Sequence, residues 1–204
     1  MVMITGAGNY CGACNGSFMI EKAASTITLN GATKTYNGKA VDGIKATVGG
    51  SSGKIKYTYY SDKACKKAIN APKNAGTYFV KATVAADANY LEATSKAATI
   101  TIKKAANPLK VKVRSLSVKS KEVLAKDKKF TKKQAFVISK AQGTVVFKKV
   151  KGDKKVTIGQ DGTVTVKKGA KKGKHIIYVN VTAKGNSNYN KGTQKRIKVT
   201  VVVK

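Results

Sequence analysis

A strand ending that recurs three times constrains this chain most: an Asn-Tyr pair, a short polar stretch, then alternating apolar residues. Asn9-Tyr10 leads to Phe18 and Ile20, Asn89-Tyr90 to Ala98, Ile100 and Ile102, and Asn188-Tyr189 to Ile197, Val199 and Val201, at matching offsets. Upstream of the last two copies, the set Tyr78, Val80, Ala82 and Val84 returns as Ile177, Val179, Val181 and Ala183. Alternation with period 2 is the pattern of half-buried strands, and self-similarity at this spacing predicts β-modules in array.

The expected fold class is therefore all-β, with tandem Ig-like antiparallel β-sandwich modules joined end to end. The expected division is 1–23, closing strands of a preceding module or an N-terminal strand extension, with Asn15 to Ile20 as its clearest strand; 24–105, an Ig-like module; and 106–204, a second, Lys-rich Ig-like module. Asn30-Gly31 and Asn37-Gly38 read as hairpin turns, because Asn and Gly both accept positive φ. Asp161-Gly162 closes another hairpin onto Val164 and Val166. Gly49 to Gly53 reads as a flexible tip. A helical period is found only weakly, in Ser117 to Lys133, where Val123, Leu124 and Phe130 are the candidate anchors. The three repeated tyrosines, Tyr10, Tyr90 and Tyr189, are expected to place a ring at the core edge, with the hydroxyl bonded to backbone.

Charge narrows the function. The chain has 41 basic residues against 9 acidic ones, a formal net charge of +32, and every basic residue except Arg114 and Arg196 is Lys. Base-specific nucleic-acid contacts and bidentate phosphate forks favour Arg, whereas Lys is a hydrated point charge. The lysines alternate with apolar residues, as in Lys110-Val111-Lys112-Val113, which puts them on outward strand faces. There they discourage edge-to-edge pairing and offer weak adhesion to a polyanion.

Catalysis finds little support. His175 is the only histidine, has no Ser or Cys partner in sequence, and reads as an outward strand residue. The nine acids form no local pair for glycoside hydrolysis. Asp153 and Asp161 read as turn residues, too few for a hard-cation site. Gly6 to Gly12 lacks the spacing and the following helix of a phosphate loop. Cys11, Cys14 and Cys65 make no paired disulfide framework and no zinc site. An intramolecular Lys-Asn isopeptide bond would need a buried acid, for which Glu92 and Asp87 are the candidates. No stretch is long enough to span a membrane. Met1 to Gly6 lacks the pattern of an export signal; because Val2 to Ile20 matches the end of a module and has no beginning, the expectation is a segment of a longer multidomain chain.

The runs Thr35 to Ala40, Gly53 to Asp62, Ala71 to Tyr78 and Ala88-Asn89-Tyr90 resemble the MBG-like bacterial Ig-like repeats of surface and secreted proteins from Gram-positive bacteria. Ala106 to Leu109, Gly143 to Val145, Asp161 to Gly169 and Gly185 to Tyr189 resemble the Lys-rich repeats that often follow them. This resemblance implies export, a place at the cell surface or outside the cell, and a role as spacer or adhesion module; it carries over no catalytic residues.

The functional expectation is a non-enzymatic extracellular spacer or adhesion segment, without cofactor, metal or membrane insertion, monomeric within its longer chain. Its partner is an anionic cell-wall polymer or glycan, and nucleic acid binds only nonspecifically. The rival reading is a dedicated carbohydrate- or host-glycoprotein-binding module that uses Tyr57, Tyr59 and Tyr60.

Overall fold

The computed structural model describes residues 2–204; Met1, the first residue of the expected 1–23 segment, lies outside them. Among the described residues there are nineteen strands and two short helices, so the chain is all-β, as its alternating pattern predicts. No helix among them is long and apolar enough to cross a membrane. Internal contacts divide the chain into two units: Met1–Thr33, Ala40–Pro72 and Thr77–Thr101, then Lys34–Lys39, Lys73–Gly76 and Ile102–Lys204.

The first unit opens with β1 (Val2–Thr5) and β2 (Ala13–Gly16), an antiparallel pair exposed along its whole length. Next along the chain come β3 (Thr26–Leu29), β4 (Ala32–Thr35), β5 (Ala46–Gly49), β6 (Ile55–Tyr60), β7 (Ala68–Ile69), β8 (Gly76–Val84), β9 (Ala93–Thr94) and β10 (Ala98–Lys103), the ends of β4, β8 and β10 at Lys34-Thr35, Gly76 and Ile102-Lys103 being counted with the second unit. The main sheet runs β4-β10-β8-β6-β7 with β9 on β8, while β3 and β5 pair separately. Val80, Ala82 and Val84 of β8, with Ala98, Ile100 and Ile102 of β10, are the buried rows that the alternation predicts.

Asn30-Gly31 does not make the expected hairpin. It carries the chain from β3 in one sheet to β4 in another, and Gly31 lies so close to Thr99 that a Cβ would stand 2.7 Å from its carbonyl oxygen. Asn37-Gly38 likewise turns the chain, with Asn37 Oδ1 accepting the Lys39 N–H at 2.9 Å, but it too joins strands of different sheets.

The second unit contains β11 (Lys110–Val113), β12 (Leu116–Val118), α1 (Ser120–Ala125), β13 (Lys128–Phe130), α2 (Lys132–Ala135), β14 (Phe136–Ser139), β15 (Val145–Gly152), β16 (Val156–Ile158), β17 (Val164–Val166), β18 (Gly173–Ala183) and β19 (Gly192–Val203). One sheet runs β12-β19-β18-β15, antiparallel except for β12 beside β19. The sheet β13-β17-β16 and the pair β11-β14 complete the unit. Their inward residues meet in one core, among them Phe136, Phe147, Val164, Ile177, Val179 and Val199. Val123 and Phe130 anchor the weakly helical stretch in that core, whereas Leu124 faces solvent. Asp161 holds its hairpin by accepting the Thr163 N–H at 3.0 Å.

The recurring Asn-Tyr pair owes its geometry to the residue three positions before the tyrosine. Asp87 Oδ1 accepts the N–H groups of Asn89 and Tyr90 at 3.0 and 2.9 Å. Asn186 Oδ1 does the same for Asn188 and Tyr189 at 2.9 and 3.0 Å. Each turn then receives the residue that leads into the preceding strands: Ala23 donates to the Asn89 carbonyl and accepts from Leu91, and Ala105 donates to the Asn188 carbonyl and accepts from Asn190, all at 2.8–2.9 Å. Lys22 and Lys104 cap the Asp87 and Asn186 carbonyls at 2.7 and 2.9 Å. Gly53 and Gly143 pack against the same turns, and a Cβ on either would collide with the carbonyl oxygen of Ala85 or Gly185.

The stretch 49–53 is therefore not a free tip. Ser51 is 6% exposed and its hydroxyl donates to the Ala85 carbonyl at 2.6 Å. The Ser52 N–H and hydroxyl reach Asp87 Oδ2 at 2.8 and 3.1 Å. Asp87 is thereby committed to four hydrogen bonds at the surface, which removes it as the buried acid of an isopeptide bond.

In the first copy Ala7 stands where Asp87 and Asn186 stand, so no side-chain oxygen among the described residues gathers the Asn9 and Tyr10 amides. Tyr10 is 81% exposed, contrary to its expected corner role, while Tyr90 and Tyr189 are half-buried. The Tyr90 ring lies over Gly50, where a Cβ would be 2.8 Å from Cδ1; in the second unit Tyr189 meets Tyr36 edge-on at 5.2 Å. The corner is fixed through the tyrosine's main chain rather than through the expected hydroxyl. The expected strand 15–20 also ends at Gly16, with Phe18, Met19 and Ile20 exposed. An alternating pattern makes a ladder only where a partner strand presents free groups, and β1 engages residues 13–16 instead.

Asn186→Ala should lower stability by about 1–2 kcal/mol, because two backbone N–H groups lose their acceptor; the urea midpoint measures it. The Ser52 and Asn89 N–H groups draw the Asp87 pKa down to about 2. A carboxyl depressed in the folded state stabilises above its unfolded value of 3.8 and loses that contribution as pH falls toward 2. Asp87→Asn keeps the acceptor and should flatten this acid limb in a pH series of unfolding midpoints.

Candidate functional site

The aromatic strand β6 pairs antiparallel with β8, setting Tyr57 opposite Ala82, Tyr59 opposite Val80 and Tyr60 opposite Phe79. Val80 and Ala82 are fully buried, so Tyr57 and Tyr59 share the core side of the sheet. Tyr57 confirms it, since its hydroxyl accepts the Ala46 N–H at 3.0 Å. Tyr60 lies on the outer side, half-buried beside Phe79, on the face that also carries Lys56, Thr58 and Lys81. The structure thus separates the three tyrosines and joins Tyr60 to Phe79. The alternation of β8 already contains this signal, because the residues between its inward positions face out.

The corresponding outer face of the second unit is cationic. The ladder places Lys148 opposite Asn180 and Lys151 opposite Tyr178 on β15 and β18, and Lys198 of β19 opposite Tyr178 from the other side. Lys151 Nζ stands 5.3 Å from the Tyr178 ring centroid, within reach of a cation–π contact. The β18–β19 register slips between Val179 and Val181, and in that bulge Arg196 adopts φ +54°. Asn180 Oδ1 accepts the Arg196 N–H at 3.0 Å and braces it. No acidic residue occurs on β15, β18 or β19.

Not every lysine faces outward. Lys149 continues the inward row of Phe147, opposite the buried Val179, and its Nζ donates to the carbonyls of Val156, at 2.7 Å, and Asp153; the register shift that follows it turns Lys151 outward. Burial lowers its pKa.

His175 is also inward, contrary to the outward placement expected of it. It is 9% exposed and continues the buried row of Ile177, Val179, Val181 and Ala183. Nδ1 lies 2.7 Å from Asp153 Oδ2 and Nε2 lies 2.8 Å from the Lys171 carbonyl. Both partners only accept, so both bonds form when each ring nitrogen carries a proton. The Lys171 carbonyl and then Asp153 raise the His175 pKa against the opposing effect of burial. Asp153 in turn is lowered, chiefly by the Lys155 N–H. Asp153 and Asp161 are each occupied locally and share nothing. Among the described residues no group of three or more His, Cys, Asp or Glu is placed to hold a metal ion. Cys11 and Cys14 are exposed thiols and Cys65 is half-buried.

Geometry and sequence define an all-β protein whose outer sheet faces combine aromatic rings with Lys. Residues 25–106 match the family model of the MBG domain, and this segment is MBG-like. No curated protein matches the chain. Among solved structures it is similar to the EC1-2 segment of human protocadherin-24, at 13% identity, over 87% of this chain and 98% of that one, with a TM-score of 0.42. Mouse cadherin-23 EC22-24 is 14% identical over 90% of this chain and 67% of its own, with a TM-score of 0.42. The fibronectin(III)-like modules of Clostridium thermocellum CbhA are 17% identical over 88% and 94%, with a TM-score of 0.26.

The His175 contact gives stability a defined pH dependence. A histidine whose pKa is raised on folding contributes fully below its unfolded value of 6.5 and loses that contribution as pH rises through the folded value. Asp153, held below its usual value, faces His175, as does the inward Lys149, whose pKa burial lowers. Unfolding midpoints of the wild type should fall as pH rises above 6.5, and His175→Gln should remove that fall while lowering the midpoint at acidic pH.

Proposed function

We propose that this chain is a non-enzymatic, extracellular segment of a bacterial surface or secreted protein, which spaces or displays neighbouring domains and adheres weakly to anionic polymer of the cell wall. In this reading it comprises an MBG-like module, residues 24–105, a second Lys-rich module, residues 106–204, and strands belonging to a preceding module at 1–23. The observation that carries the adhesive part is the display of Lys on outward strand rows. Lys110 and Lys112 of β11 are exposed while Val111 and Val113 pack on the core, and the outer face of β15, β18 and β19 repeats the arrangement without a compensating acid. Such a surface repels other copies of itself and attracts polyanions over a Debye length.

A second reading is favoured by one observation, the outward pairing of Tyr60 with Phe79. Two adjacent half-buried rings beside Lys56 and Lys81 make a small platform for a sugar. Tyr60→Ala separates the readings: glycan binding lost at unchanged stability supports the platform, and unchanged binding supports the charged spacer.

The proposed adhesion is tested by sedimentation of the purified chain with Gram-positive cell walls across a salt series. Binding should be evident at low salt and disappear near 0.5 M, where the Debye length is about 4 Å. Absence of binding at low salt overturns the adhesive part of the reading.

A further inference from the structure

Arg196 holds an unusual conformation. Among the described residues three non-glycine residues have positive φ, namely Cys65, Lys140 and Arg196, and only Arg196 lies inside a strand ladder; the others sit in bends. An arginine in the left-handed region is disfavoured, whereas glycine adopts it freely. A β-bulge is a device for re-aiming a side chain, and strain held within an ordered sheet points to a use for the residue that bears it.

The surroundings indicate the use. Two cross-strand rows lie next to each other on the outer face. The first runs Lys148, Asn180, then Lys195 and Arg196 in the bulge; the second runs Lys151, Tyr178 and Lys198. Rows two residues apart along a strand are separated by about 6.7 Å, and the flanking strands lie about 9.6 Å apart. The central column thus offers an amide and an aromatic ring, and cations line it on both sides. Tyr178 is half-buried and the lysines and Arg196 are exposed; the ring is held in place, Lys151 rests over it at 5.3 Å and swings aside to pair with an anionic group when a sugar ring takes its place, and Lys148, Lys195, Arg196 and Lys198 extend beside it. All acids are absent from the three strands that build the face.

We infer that the outer face of β15, β18 and β19 is a binding surface for an acidic polysaccharide, with a sugar ring on Tyr178 and its anionic substituents held by Arg196, Lys151 and Lys198. This rests on the adhesive reading above and adds to it a place and a ligand class. Complementarity selects the ligand. A flat ring flanked by cations on both sides matches a pyranose with carboxylate or sulfate groups, and the Arg fork adds planar, two-toothed recognition that Lys does not supply. A polyanion without rings would meet the lysines but leave Tyr178 unused.

The experiment compares binding of the full chain to alginate and to polyglutamate, at equal charge concentration and low salt. Four variants are measured beside the wild type. Arg196→Gly removes the side chain and relieves the positive φ, so its unfolding midpoint should be unchanged or higher. Tyr178→Leu removes the ring, Lys151→Gln with Lys198→Gln removes the flanking charges, and Lys110→Gln with Lys112→Gln removes the same charge from β11. Alginate should bind the wild type more tightly than polyglutamate does. Arg196→Gly and the Lys151 and Lys198 double variant should each weaken alginate binding about fivefold or more, and the β11 double variant by less than about twofold. Tyr178→Leu should weaken alginate and spare polyglutamate.

Equal losses from the β11 and the Lys151 and Lys198 double variants would overturn the site and leave diffuse adhesion standing. Equal binding of the two polymers, unaffected by Tyr178→Leu, would overturn the polysaccharide assignment. Failure of the wild type to bind either polymer would overturn the adhesive reading itself. The lysine variants alter exposed positions, so the comparison stands even if Arg196→Gly or Tyr178→Leu folds poorly.

Discussion

One side-chain oxygen that gathers two consecutive backbone N–H groups organises each unit. Asp87 does this for Asn89 and Tyr90, and Asn186 for Asn188 and Tyr189. A turn bent in this way exposes main-chain groups that need partners, and the chain entering the unit supplies them through Ala23 or Ala105. The entering segment, the last turn and the tight glycine at residue 53 or 143 are thereby tied together at one end of each unit. The last strand, β10 or β19, leaves that turn in register to complete the buried rows of β8 or β18. A hydroxyl pair also ties β9 to β8 in the first unit, Thr83 with Thr94, and β19 to β18 in the second, Thr182 with Thr193, each at 2.9 Å.

The aspect of the fold that the sequence made legible is the one that follows from alternation. The rows of β8, β10, β18 and β19 are buried where the period says, because a strand with one face on a core has no other way to hide its apolar side chains. The Asn-Tyr repeat was visible as a signature, but its cause was not, since the acceptor lies three residues before the tyrosine and is Asp in one unit and Asn in the other. That difference also explains the failure at Asn9-Tyr10, where Ala7 offers no oxygen. Asn30-Gly31 misled because turn chemistry reports that the chain bends and not which sheet receives it. Ser51 and Ser52 misled because small hydroxyl residues read as flexible, although a tight approach to a neighbouring carbonyl selects the same residues.

Of the candidate site, the sequence supplied the residue types and missed the faces. Tyr57, Tyr59 and Tyr60 form one run, yet alternation divides them, and the partner of Tyr60 is Phe79 on another strand. His175 follows the same rule in the opposite direction: counting back by two from Ile177 places it in the buried row, and its two acceptors, Asp153 and the Lys171 carbonyl, lie on connections whose paths alternation does not specify. The bulge at Arg196 is a local break in register, invisible to any periodic reading. What results is a scaffold with apolar cores, edged in the second unit by Lys149 and the His175–Asp153 pair, and with Lys-rich outer faces, in which charge is arranged by the strands that carry it.

Amide hydrogen exchange at the three Asn-Tyr pairs tests the central claim within a single sample. If side-chain acceptors close the two units, the N–H groups of Asn89, Tyr90, Asn188 and Tyr189 exchange slowly, while those of Asn9 and Tyr10 exchange at the rate of a free peptide. Rapid exchange at all three pairs would contradict the account, because the turns at Asp87 and Asn186 would then hold no more structure than the one that lacks an acceptor.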